Sequence, residues 1–305
     1  MNILRGLKES GIEFHENKNM SEYSPIRTGG VARLIIFPKN EPEIVSVLSI
    51  LNMRNAESCG YYVIGGGTNT LFRDEKISLP VISFKKFNAD IFENKQNGIE
   101  TIIEAGAGMP LPAILGYSIK RNIGGCEFFY GIPGTVGGAV RMNAGSKESA
   151  IGNIIERIDI IKEDGVKSAV YRNGMEFSYR NLDIKGVSGN YFITKVYLKV
   201  YKSTESDIAE NILIFKKRKL LQPLSESSLG CIFKNPLGFS AGKIIEEIGF
   251  KGRSKGGASV SEKHANFIVN RGGAKPDDIM YLIKKIQEKA FLDKGVKLTT
   301  EIKII

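Results

Sequence analysis

Gly131–Gly145 reads GIPGTVGGAVRMNAG, five glycines and one proline in fifteen residues, with Arg141 as its single charge. Glycine raises the entropy cost of ordering a helix or a strand, so an ordinary core element is not expected here. The physical use of such a run is close approach. Without Cβ atoms the backbone can touch a ligand and turn its N–H groups toward phosphate oxygens. A structural loop draws on the same residues. What favours a ligand cradle is a second stretch, Gly65-Gly66-Gly67-Thr68-Asn69, directly after a short apolar run that ends in Ile64. Two phosphate-cradle candidates in one chain point to a dinucleotide-sized ligand.

With 305 residues the chain is long enough for two or three packed units. No apolar run approaches the roughly 18–20 residues that span a bilayer. The opening MNILRGLKES has neither an apolar h-region nor a small-residue cleavage site. Cys59, Cys126 and Cys231 are few, odd in number and far apart, which fits reduced thiols and a cytoplasmic location better than disulfides or zinc. A total of 43 Lys and Arg against 33 Asp and Glu gives a net charge of +10. That positive field suits a substrate with several phosphates. The basic residues are dispersed, with no aromatic-studded basic repeat, so nucleic acid is not expected as a partner.

Asn40 and Pro42 open an amphipathic helix that ends before Gly60, with asparagine as N-cap and proline in the first turn. Tyr61–Ile64 reads as a buried strand. Further strands are expected at 82–87, 100–105, 155–161, 166–171 and 191–201, and a short helix at 110–122. This alternation indicates an α+β fold. The polar segment 202–207 reads as a boundary. Beyond it lie a basic amphipathic helix at 208–221, a helix at 241–248, a strand at 265–270 and a long helix at 277–292 capped by Asp277. Residues 296–305 alternate cleanly and predict a strand, with Val296, Leu298, Thr300, Ile302 and Ile304 on one face.

Several chemistries find no support. Gly65–Thr70 is not G-x-G-x-x-G, and Gly242-Lys243 lacks the rest of a P-loop. His15 and His264 are the only histidines, with no cluster at ligand spacing and no G-x-S-x-G elbow, so His264 reads as a structural polar residue. A tightly bound organic cofactor then becomes the economical source of reactivity. Three spots remain open on the residues alone. Cys231, in GCIFKNP, is either a reactive thiol or a small buried hydrophobe. Arg180, in FSYR, either grips a ligand carboxylate or caps a loop. Glu301 reads as part of a solvated strand face between Lys297 and Lys303.

The ordered set VIGGGTNTLF, FFYGIPGTVGGAVRMNAG, FSYRN, GCIFKNP, GGASVSEKHANFIVN and the strand of Glu301 resembles the UDP-N-acetylenolpyruvoylglucosamine reductase (MurB) family, from about Tyr23 to Ile305. The short connection between Asn181 and Tyr191 resembles the subclass that lacks an extra substrate-covering loop. The resemblance implies a vanillyl-alcohol-oxidase-type FAD-binding fold of two subdomains, at 1–80 and 81–202. A smaller α/β substrate domain would follow at 203–295, and residues 296–305 would carry Glu301 back to the active site. It implies non-covalent FAD, NADPH as reductant, and reduction of the enolpyruvyl ether of UDP-N-acetylglucosamine to UDP-N-acetylmuramate, a peptidoglycan precursor, by a monomer. Ile64, Gly65, Gly66, Gly67, Thr68 and Asn69 match one part of the FAD seat. Gly131, Ile132, Pro133, Gly134, Thr135, Gly137, Gly138, Ala139, Asn143, Ala144 and Gly145 match the other. Arg180 and Glu301 match residues that engage the substrate carboxylate, and Arg218, Lys234, Asn235 and Lys303 match substrate-binding positions.

The chemistry agrees with these roles. Hydride addition at C3 leaves charge that spreads from C2 into the carboxylate, where a guanidinium stabilises it. A protonated Glu301 would donate a hydrogen bond there, whereas Lys297 and Lys303 favour its ionised form. The sequence departs from the family at Cys231, where most members place the serine that protonates C2. A thiol, with a reference pKa of about 8.5, is a much stronger acid than an alcohol, yet its thiolate cannot donate. Lys303 stands where arginine is frequent and Thr299 where an acidic residue is common. Two other readings compete: an oxidase of the same flavoprotein fold, and a non-catalytic nucleotide-binding protein.

Overall fold

The computed structural model describes residues 3–52, 60–95, 100–146 and 148–305. Cys59 and the end expected for the first long helix lie outside the described residues. The chain forms two compact units, one of Met1–His15, Ile35–Gly66 and Val81–Lys216, the other of Glu16–Leu34, Gly67–Pro80 and Lys217–Ile305. The division therefore falls inside the first glycine stretch, between Gly66 and Gly67, and again inside the helix Glu205–Lys219. That helix starts three residues after the strand Tyr191–Lys202 ends, so half of the polar segment 202–207 is first helical turn.

The first unit is built on an antiparallel sheet in the order Lys167–Tyr171, Ile155–Lys162, Tyr191–Lys202, Glu100–Gly106 and Ile91–Lys95. Its central strand is β-branched and buried at alternate positions, as a half-covered sheet requires. The register of this strand shifts between Ile193 and Lys195. The Thr194 carbonyl there accepts the Ala107 N–H at 2.9 Å and so anchors the loop after Gly106. A parallel set also belongs to this unit, with Ile35 and Tyr62 both paired to Val81. The helix Glu41–Asn52 buries Ile44, Val47, Leu48 and Leu51 and is capped by Asn40, whose Oδ1 accepts the Glu43 N–H.

The second unit holds a four-stranded antiparallel sheet in the order Ser228–Cys231, Phe267–Asn270, Ala258–Val260 and Ser254–Lys255. The helices Ala241–Glu247 and Pro276–Lys294 belong to the same unit. The long helix turns Ile279, Leu282, Ile283, Ile286 and Ala290 inward at helical spacing. Gly295, with φ 67°, ends it through bonds back to Ala290 and Phe291. Ile26 and Leu71, far upstream in sequence, complete this core.

Four sequence expectations are corrected. Residues 82–87 are not one strand: Val81–Ser83 is followed by a 3₁₀ turn, Phe84–Lys86, begun by the Ser83 side chain. The long helix is not capped by Asp277. Lys275 stands at the N-cap with Pro276 after it, and Asp278 accepts the Lys275 N–H at 3.0 Å. Residues 296–305 form a strand only at Lys303–Ile304, because their main chain bonds in turn to two different segments. Leu298 and Ile302 are nonetheless buried as the alternation requires. Last, the glycine run contains a mostly buried helix, Val136–Arg141. Close packing outweighs propensity there, since a Cβ on Gly137 would stand 2.8 Å from the Ala107 Cβ. Among the described residues no helix is long and apolar enough to cross a membrane.

Candidate active site

The first unit brings the two glycine stretches together. The strand Tyr62–Ile64, with Ile64 buried, delivers Gly65 against the start of the second run. A Cβ on Gly65 would lie 2.4 Å from Thr135 Oγ1, so no other residue fits without displacing Thr135. Thr135 caps the helix Val136–Arg141 by accepting the Gly138 N–H, and the Ala139 N–H donates to its carbonyl. The run is stitched to the loop after Gly106. Leu111 donates to Gly134, Val136 to Met109 and Gly137 to Ala107, all at 2.8–3.0 Å. Gly131, Gly134 and Gly145 have φ of 69°, 110° and 148°, which excludes bulkier residues from the turns around Ile132, Pro133 and Ala144. A surface of nearly bare backbone results, held from behind by a buried sheet. Such a surface fits a large planar cofactor with a pyrophosphate, because little side-chain bulk intervenes. In the second unit Gly67, with φ 68°, packs its Cα against the Tyr23 carbonyl, where a Cβ would come within 2.2 Å. Thr68 and Asn69 follow it there.

Arg180 belongs to the first unit. It sits in the two-residue turn between Met175–Ser178 and Asn181–Ile184 with φ 59°, a left-handed conformation uncommon outside glycine. Its Nη1 donates to the Gly145 carbonyl at 2.9 Å and reaches the Asn143 carbonyl at 3.4 Å. The arginine and the glycine run are thus one assembly. The Asn143 side chain faces the hairpin as well, with Nδ2 donating to the Ser178 carbonyl and Oδ1 accepting the Gly152 N–H.

The second unit brings Cys231 and Glu301 onto adjacent segments. Gly230, with φ 79°, lies in the register shift between Ser228 and Cys231, after which Cys231 pairs with Phe267. Asn266, buried, then holds the next residues: its Oδ1 accepts the Phe233 N–H at 2.9 Å and its Nδ2 donates to the Phe233 carbonyl at 2.8 Å. On the other side Glu301 donates its N–H to Ile232 at 2.7 Å, and Lys234 donates to Thr299 at 2.9 Å. Asn69 Nδ2 donates to the Glu301 carbonyl at 3.2 Å, and the Lys303 N–H to the Asn69 carbonyl at 2.9 Å. Lys234 is half-buried, whereas Asn235, Lys303 and Arg218 are exposed. Asn235 Oδ1 accepts the Ala241 N–H, so this side chain also fixes the start of a helix. His264 has a structural place: Nδ1 accepts the Asn266 N–H, and burial pushes its pKa below the usual 6.5.

The sequence reading missed Asn266, Ala107, Thr194 and the use of Arg141. Only Arg141 carried a visible signal, as the lone charge in the glycine run.

Residues 32–167 match the family model described as FAD binding domain, and 222–305 match the model of the UDP-N-acetylenolpyruvoylglucosamine reductase C-terminal domain. The fold and the glycine cradle therefore define an FAD-dependent oxidoreductase of mixed α/β architecture, the class expected. The curated reductase from Clostridium botulinum strain Okra is 40% identical over 287 residues, covering 94% of this chain and 90% of its own. That from Syntrophobacter fumaroxidans is 33% identical over 306 residues, covering 100% of this chain and 86% of its own. The crystal structure of the MurB reductase from Thermus caldophilus superposes with a TM-score of 0.77 at 28% identity, over 96% of this chain and 98% of that one. The chain belongs to the UDP-N-acetylenolpyruvoylglucosamine reductase family.

Proposed function

We propose that the chain reduces UDP-N-acetylglucosamine enolpyruvate to UDP-N-acetylmuramate in the cytoplasmic synthesis of peptidoglycan precursors, with NADPH as reductant. The chemistry FAD supplies when bound is acceptance of hydride from NADPH and its delivery to C3 of the enolpyruvyl group. Ile64, Gly65, Gly66, Gly67, Thr68 and Asn69, with residues 131–135, 137–139 and 143–145, hold the cofactor. Residues 1–80 and 81–202 serve FAD, residues 203–295 serve substrate, and 296–305 supply Glu301.

Arg180 binds the substrate carboxylate. Its guanidinium stabilises the negative charge that grows from C2 into the carboxylate as C3 takes the hydride, which lowers the barrier. Glu301 acts on the same carboxylate. Cys231 Sγ–H gives its proton to C2, forming the new C–H bond, and the thiolate left behind regains a proton from solvent. Lys234, Asn235, Arg218 and Lys303 bind the UDP-sugar, whose phosphates suit three cations. The chain acts as a monomer.

The observation that supports this reading most directly is the hydrogen-bonded pairing of 232–234 with 299–301, which sets a thiol and a carboxyl on neighbouring segments. An oxidase would instead need a base to take a proton from its substrate. The test is anaerobic reduction by NADPH followed by addition of the enol ether. Rapid return of the oxidised flavin spectrum supports the reductase. Return only on admitting oxygen would favour the oxidase.

A further inference from the structure

Arg141 is the one charge in the glycine run, and it is not among the positions matched to the cofactor seat. It ends the helix Val136–Arg141 and points to the hairpin that carries Arg180. Its Nη1 donates to Asn181 Oδ1 at 3.0 Å and to the Leu182 carbonyl at 2.9 Å. Asn181 is fixed in turn, because its Nδ2 donates to Asp183 Oδ2 at 2.7 Å. The Tyr191 hydroxyl donates to the same Leu182 carbonyl at 3.3 Å, and the Arg141 guanidinium lies 5.7 Å from the Tyr191 ring centroid.

Among the described residues the hairpin Met175–Ser178/Asn181–Ile184 pairs only with itself, in a two-stranded sheet. Such hairpins are marginal alone. Met175, Leu182 and Ile184 bury its base, but the turn Tyr179–Arg180 depends on polar tethers. Asn143 grips Ser178 just before that turn, and Arg141 grips Asn181 and Leu182 just after it. Both tethers leave from the end of one short helix. Together they bracket a residue already held in an uncommon backbone conformation.

We infer that Arg141 is a positioning residue that holds the Arg180 guanidinium ready for the carboxylate of the enol ether. The inference rests on the reading of Arg180 as the carboxylate clamp. Lysine in its place keeps the charge and loses the planar fork.

The test is a double-mutant cycle on the oxidised holoenzyme, reading calorimetric Kd for the enol ether, the rate of flavin reduction by NADPH, and the melting temperature. Arg141→Ala should raise Kd about tenfold, because it removes both charge-assisted hydrogen bonds that hold the hairpin just after the turn. The rate of reduction by NADPH should stay unchanged, with Arg141→Lys intermediate in Kd. In an Arg180→Ala background the further substitution Arg141→Ala should change Kd little. An unchanged Kd in Arg141→Ala, an equal loss in NADPH reduction, or full additivity with Arg180→Ala overturns the inference while leaving the role of Arg180 intact. An Arg180→Ala enzyme with normal Kd and normal flavin reoxidation overturns the clamp reading, and the inference with it.

Discussion

Glu301 donates its main-chain N–H to the carbonyl of Ile232, the residue that follows Cys231, at 2.7 Å. The carboxyl and the thiol are therefore carried on segments that one backbone ladder joins. A side-chain change at Cys231 leaves that main-chain bond available.

The pH dependence of flavin reoxidation by the enol ether should reveal which group gives the proton. With Cys231 as the acid, the rate falls on the alkaline side as the thiol ionises. Cys231→Ser should lose that limb, because the hydroxyl stays protonated throughout. A limb at the same pH in both proteins would mean that another group titrates.

Gly137→Ala should disturb the cofactor seat through packing alone. The added methyl would stand 2.8 Å from the Ala107 Cβ, an overpacking worth about 1–3 kcal/mol. Less flavin should copurify with the variant, and its unfolding midpoint should fall. Adding Ala107→Gly should recover much of both. Flavin-to-protein absorbance ratios and thermal melts check this, and no recovery in the double variant would place the fault elsewhere.

Asn266→Ala should cost about 2–4 kcal/mol, because it strands a buried N–H and a buried carbonyl of Phe233 together. Equilibrium unfolding in urea measures the loss. The same variant should slow reoxidation by substrate, since Phe233 lies two residues beyond Cys231. A stability loss below about half the lower figure would mean that water replaces both bonds.

Acid should weaken the fold through His264. Burial holds its folded pKa below 6.5, so the unfolded chain takes up a proton at a pH where the folded chain does not. The stabilisation of the neutral ring is complete above about pH 6.5 and is lost as pH falls toward the folded pKa. His264→Gln should melt lower than wild type at pH 8, and the gap should narrow by pH 5. A gap that is constant across that range would mean that His264 does not titrate differently in the two states.

Periodicity made the amphipathic helices and most sheet strands legible, because burial there follows local spacing. At 298 and 302 the same rule gave the right buried residues in the wrong element. Alternation reports which side chains face the core, but Lys303 finds its main-chain partner at Asn69, and no local pattern encodes that choice. The helix Val136–Arg141 was hidden for the opposite reason. Its glycines lower propensity, and only the closeness of Ala107 explains them. The ligand class was readable from the pair of glycine stretches. The bracketing of Arg180 was not, since it joins the end of one helix to both sides of a distant turn.

The core of the second unit has a consequence for cutting the gene. Ile26 and Leu71 pack among residues drawn from 229–302, so this unit is assembled from three separate pieces of chain. A fragment starting at residue 217 would carry Cys231 and Glu301 yet lack two of its own buried side chains and the strand partner of Lys303–Ile304. Such a fragment is not an interchangeable module, and recombination at a single crossover would build this core from residues of two parents. Only an exchange that moves 16–34 and 67–80 along with it preserves the unit.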